Sequence, residues 1–133
     1  MPSFSASVSS VGSAVTFVTS MLGCLTSIRG YHWASDRYSE HQALGELYDD
    51  LSDLLDQFVE QYQGRYGKLD RAKMIGLPKA SNFTALTYLS DVRDFIGEVR
   101  ARKDFTKDSS LQNLIDEIVG KFDRTIYKLA TLK

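Results

Sequence analysis

Apolar residues recur at three- and four-residue steps in four stretches of the chain, the period of amphipathic helices and not of strands. The first stretch covers about residues 7–32, with Val11, Val15, Val18, Leu22, Leu25 and Ile28 as its stripe and His32 continuing it. Its remaining face (Ser9, Ser10, Ser13, Thr16, Ser20) is polar but uncharged, which suits a covered surface better than an open one. The second, about 37–63, carries a long stripe of Leu44, Leu47, Tyr48, Leu51, Leu54, Leu55, Phe58 and Tyr62. Asp36 is its expected N-cap, and Gly64 and Gly67 end the pattern. The third, about 82–102, holds Phe83, Leu86, Leu89, Val92, Ile96 and Val99. The fourth, about 109–132, holds Leu111, Leu114, Ile118, Phe122, Ile126 and Leu129, with Asp108 and Ser109 as cap candidates.

Four such helices without a strand pattern predict an all-α protein, a single four-helix bundle domain over residues 1–133. The outer links, near 33–36 and 103–108, are short and make each pair an antiparallel hairpin. Between them, residues 65–80 lose the period around Gly67, Gly76 and Pro78. About fifteen extended residues reach roughly 50 Å, whereas the second helix is roughly 40 Å long. The middle link is therefore expected to cross the full length of the bundle between the second and third helices. Pro2 and Pro78 are the only prolines, so no ring interrupts the two helices between them.

Charge narrows the function classes. The net charge is −1 and no Lys or Arg precedes Arg29, which argues against nucleic acid as a partner. The missing basic segment also argues against a signal peptide. No apolar run reaches the length of a membrane span. Cys24 is the single cysteine, so no intrachain disulfide forms and a reducing, cytoplasmic setting is expected. Cys24 itself reads as a small buried hydrophobe. There is no phosphate loop, paired-cysteine zinc motif or GxSxG elbow, and no Ser or Cys stands in a nucleophile context beside either histidine.

The candidate chemistry lies in one segment: His32, His41, then Asp56 and Glu60. Two imidazoles and two carboxylates suit iron, zinc or manganese. Asp56 and Glu60 are four apart and share a helix face. At about 100° per residue, Asp56 lies about 140° and Glu60 about 180° from Leu51, so both point away from the core, while His41 lies about 80° from it. One subunit does not easily join the histidines to these carboxylates. Two copies about a two-fold axis do, with histidines from one and carboxylates from the other. The plainer readings stand beside this one: solvated acidic charge on an outer face, and His32 as a satisfied core histidine.

Tyr31-His32-Trp33 ending a first helix, followed by a helix with His41 and Asp56-x-x-x-Glu60, resembles the Dps-type mini-ferritins, of which the chain would be a divergent member. The likeness continues more weakly over 78–89 and at Ile126-Tyr127-Lys128-Leu129. It implies a ferritin-like bundle, a homo-oligomer built from two-fold dimers up to a hollow dodecamer, and oxidation of Fe(II) by peroxide or oxygen with storage of ferric iron. It implies His32, His41, Asp56 and Glu60 as iron ligands at an inter-subunit ferroxidase site open to other divalent metals. Trp33 and nearby tyrosines would accept stray oxidising equivalents or pack at the interface. The family's usual carboxylate four residues after the second histidine is here Gly45, with Glu46 adjacent and Asp49 one turn on as possible substitutes. The loop between the histidines is shorter than usual, and a Lys-rich tail is missing. These departures frame the alternative: a non-catalytic ferritin-like scaffold that has lost turnover.

Overall fold

A computed structural model describes residues 12–70 and 84–132. These form four helices: α1 (Ser13–Ala34), α2 (Tyr38–Tyr66), α3 (Ala85–Arg100) and α4 (Ser109–Thr131). Among the described residues there is no strand, and the helices pack as a four-helix bundle. The expected stripe members Val11 and Phe83, and the link around Gly76 and Pro78, lie outside the described residues.

Side-chain pairs give the direction of each packing. α1 and α2 run antiparallel, with Phe17 against Phe58 at one end and His32 against His41 at the other. α2 and α4 run antiparallel, tied by Glu46–Lys128, Asp50–Lys121 and Arg65–Asp108. α3 and α4 do the same through Arg93–Asp123 and Arg100–Asp116. α1 meets α3 where Tyr31 packs on Tyr88, ring centroids 5.5 Å apart.

The core follows the expected stripes of α2, α3 and α4 closely. Leu44, Leu47, Leu51, Leu54, Leu55 and Phe58 are buried, as are Leu89, Val92, Ile96 and Val99, and Leu111, Leu114, Ile118, Phe122 and Leu129. α1 is different. Its buried face runs Phe17, Val18, Met21, Cys24 and Ile28, and Val15, Leu22 and Leu25 are only half-buried. The cause is chemical: up to Arg29 every face of α1 is apolar or small and uncharged, so periodicity alone marks no single face. Two of its polar residues are buried because each has a partner. Thr16 donates its hydroxyl to the Gly12 carbonyl at 2.8 Å. Ser13 donates both its backbone N–H and its hydroxyl to Asp104, which thereby caps α1 from the α3–α4 loop.

The helix ends follow local chemistry. Asp108 caps α4, accepting from the N–H groups of Ser110 and Leu111. Thr84 caps α3 through the Thr87 N–H. Gly67, at φ 98°, ends α2 in a backbone conformation that glycine tolerates best. Asp36 does not cap α2: the N-cap position is Arg37, without a side-chain cap bond. Ser35 organises that turn instead, accepting from the Arg37 N–H and donating to the Glu40 carboxylate at 2.9 Å. Among the described residues no helix is long and apolar enough to cross a membrane.

Candidate functional site

The turn between α1 and α2 is only three residues long, 35–37, so the last turn of α1 lies directly against the first of α2. His32 and His41 meet there. Their rings stack with centroids 3.8 Å apart and 16° between planes. Each ring is held by the backbone of the other residue: His32 Nδ1 lies 2.5 Å from the His41 carbonyl, and His41 Nδ1 lies 2.8 Å from the His32 carbonyl. A carbonyl oxygen only accepts, so Nδ1 is the donor in both rings. The proton is thereby fixed on Nδ1, and in the neutral ring Nε2 carries the lone pair. A backbone partner on the far nitrogen is how proteins orient an imidazole that ligates a metal. Neither Nε2 has a hydrogen-bond partner among the described residues.

Gly45 makes this arrangement possible. It stands one turn after His41 on the same face of α2. A Cβ at position 45 would sit 2.9 Å from His32 Cε1, closer than real side chains approach, and 3.3 Å from its Nδ1, a tight contact. The His32 ring thus occupies the volume that any side chain at 45 would take. Gly45 has ordinary negative φ, so the glycine serves space and not backbone conformation. The next contact along the seam is Arg29, whose guanidinium lies over the Tyr48 ring at 3.9 Å and beside Trp33 at 5.8 Å. This end of the α1–α2 seam therefore sets polar and aromatic side chains beside the buried Ile28 and Leu44.

The histidines line an open depression of about 430 Å³ together with Arg29, Tyr38, Gln42, Gly45, Glu46 and Asp49. Tyr38 is 76% exposed, and Trp33, beside Arg29, is 73% exposed. The acidic residues of α2 divide into two groups. Glu40 accepts from Ser35, Glu46 pairs with Lys128 at 3.2 Å, Asp50 with Lys121 at 3.7 Å, and Asp53 accepts from Gln57. Asp49, Asp56 and Glu60 are exposed, with no hydrogen bond or ion pair among the described residues.

The structure brings His32 and His41 together and leaves Asp56 and Glu60 farther along α2. At 1.5 Å per residue, Asp56 is about 22 Å and Glu60 about 28 Å from His41 along the helix axis. Among the described residues of one chain, no group of three or more His, Cys, Asp or Glu side chains is placed to hold a metal ion. Residue patterns did not expose the roles of Gly45 and Arg29. The available signal was a glycine inside a helix, one turn after a histidine, where propensity disfavours it.

Cys24 takes no part in this site. It is buried against Tyr88, and burial pushes its thiol up to about 12, partly offset by a hydrogen bond with Tyr88. Such a thiol is unreactive at neutral pH.

No solved structure matches the chain. A 14.6 kDa protein of Enterobacteria phage T4, described as an uncharacterized protein in the mobD-ri intergenic region, is 29% identical over 113 residues, covering 82% of this chain and 84% of the relative. The profile of a family of unknown function, DUF5856, matches residues 32–129, from the first histidine of the pair to the last buried leucine of α4, and the chain belongs to that family.

Proposed function

We propose that this protein is a divergent mini-ferritin. It takes up Fe(II) as substrate at a site shared by two subunits, oxidises it with peroxide or oxygen, and stores ferric iron in an oligomeric shell. The observation that carries this reading is the histidine pair. Two rings fixed by reciprocal bonds through Nδ1, with both Nε2 atoms unpartnered among the described residues, are suited to serve as nitrogen ligands.

The carboxylates come from the second copy. His41, Gly45, Asp49, Asp56 and Glu60 lie within about 100° of arc on α2. Antiparallel pairing of two α2 helices about a two-fold axis near Asp49 sets His41 of one copy level with Asp56 of the other. Asp49, Asp56 and Glu60 are the α2 acids without a partner among the described residues, which supports their use in such a site. Exposed Trp33 and Tyr38 supply aromatic surface for the same contact. Imidazole and carboxylate donors with open positions suit iron oxidation, and Asp56 and Glu60 offset the charge gained on reaching Fe(III). The antiparallel pairings of α1 with α2 and α3, and of α4 with α2 and α3, support a ferritin-like bundle with a crossover between α2 and α3. A single free cysteine supports a reducing, cytoplasmic setting.

A second reading, a ferritin-like scaffold without turnover, is favoured by Gly45 standing where the Dps-type proteins place a carboxylate. Anaerobic Fe(II) loading followed by peroxide separates the two. Rapid growth of ferric absorbance, lost in the His41→Ala/Asp56→Ala double variant, supports the mini-ferritin. A rate equal to buffer in both proteins makes the scaffold the better account.

A further inference from the structure

We infer that Gly45 is a positioning residue for His32: by excluding a side chain it seats that imidazole on the His41 carbonyl and leaves Nε2 as a nitrogen donor, which favours borderline divalent cations. The inference deepens the metal reading above and rests on it. Alanine is the better helix former by about 1 kcal/mol, so a glycine inside α2 needs a local reason. Gly64, in the same helix, has nothing within 4 Å of its notional Cβ, whereas at Gly45 that atom meets the His32 ring on three sides of contact: Cε1 at 2.9 Å, Nδ1 at 3.3 Å and Nε2 at 3.7 Å. The obstructed neighbour is the end of a side chain and not backbone. A methyl group at 45 therefore leaves the helix intact and pushes the imidazole off the His41 carbonyl.

The same geometry decides the donor set. A carboxylate at 45 and the present seat of His32 are mutually exclusive. Glu46, the neighbouring acid, is engaged by Lys128. The chain thus offers two imidazole nitrogens, and among the described residues the carboxylate left without a partner in the same depression is Asp49, one turn beyond position 45. Imidazole favours Co(II), Ni(II) and Zn(II) over Mg(II) and Ca(II), which seek oxygen.

The test compares metal-free wild type, Gly45→Ala and Gly64→Ala at about pH 8, above the ordinary imidazole range. Nitrogen-detected NMR of the imidazoles reads which nitrogen holds each proton, and cobalt and magnesium titrations follow on the same samples. Wild type and Gly64→Ala should show both rings protonated at Nδ1 and bind cobalt in preference to magnesium. Gly45→Ala should keep its helicity, lose the fixed Nδ1 proton of His32 and bind cobalt at least about tenfold more weakly, the scale of losing a ligand's orienting partner. Unchanged His32 signals in Gly45→Ala would overturn the positioning role. A shifted His32 in that variant, with no cobalt bound by wild type, would leave the positioning role standing and overturn the metal site beneath it.

Discussion

At one end of the α1–α2 seam Phe17 meets Phe58 edge-on at 5.1 Å, and Phe105 closes the cluster at 6.0 Å from both. At the other end His32 stacks on His41 above Gly45, and Arg29 lies over Tyr48. All three phenylalanines are almost fully buried, and the histidines are only half-buried. The phenylalanine end stabilises through apolar area and tight packing, which any set of well-fitting apolar side chains would supply. The histidine end uses directional bonds, a glycine that weakens its helix, and exposed aromatic rings. Nothing about holding the bundle together requires that chemistry. That difference is why the proposed function is assigned to the histidine end and stability to the other.

Substitutions at the two ends should therefore behave oppositely. Phe58→Ala removes a buried ring at the stabilising end and should lower unfolding free energy by about 3–5 kcal/mol, measured by denaturant titration. His41→Ala at the opposite end should lower stability by about 1 kcal/mol, the net worth of one hydrogen bond, yet eliminate cobalt binding by absorbance titration. A large stability loss with metal binding intact would reverse the assignment of the two ends. Asp56→Ala should change stability by less than about 0.5 kcal/mol, as for an exposed residue without partners, while removing iron oxidation. Retained oxidation in that variant would return Asp56 to plain solvated charge.

The smallest expected effect concerns the cap that anchors the start of α1. The Ser13 hydroxyl bond holds the Asp104 carboxyl below the ordinary carboxylate range, against the opposing effect of desolvation and with further help from the Ser13 backbone N–H. A folded-state value below the unfolded one stabilises the protein at pH above the unfolded value, near 3.9. That contribution disappears as pH falls through the lower folded value. Ser13→Ala should flatten this part of the acid-unfolding curve and leave the neutral-pH behaviour of the histidine end untouched.

Much of the fold was legible because helical period and core contact coincide in α2, α3 and α4. Leu51 and Phe58, or Ile118 and Phe122, are apolar on otherwise charged helices, and only one face of each is available to the core. α1 resisted the same logic because its whole length before Arg29 lacks charge. Its periodicity points to Leu22 and Leu25, whereas Phe17 and Met21 hold the centre together with Cys24, the one of these three expected to be buried. The cap at Asp36 failed for a local reason: Ser35 reaches both the Arg37 N–H and Glu40 from one position earlier. In the site, the outward direction of Asp56 and Glu60 followed from angle arithmetic alone. The stacking of His32 on His41 did not, because it depends on a three-residue turn and on an absence of side chain at Gly45. Spacing reports where a residue stands on a helix, not what an empty volume beside it admits.

A site divided between two copies should allow two defective variants to complement each other. His41→Ala retains its carboxylates, and Asp56→Ala retains its histidines. Each variant alone should fail to oxidise Fe(II). When the two are unfolded together and refolded as a mixture, random two-fold pairing gives half mixed dimers, each with one intact site, and about a quarter of the wild-type rate should return. Recovery of that activity is the predicted result. A mixture as inactive as its components, while wild type treated the same way regains its full rate, would contradict a site shared across the two-fold axis.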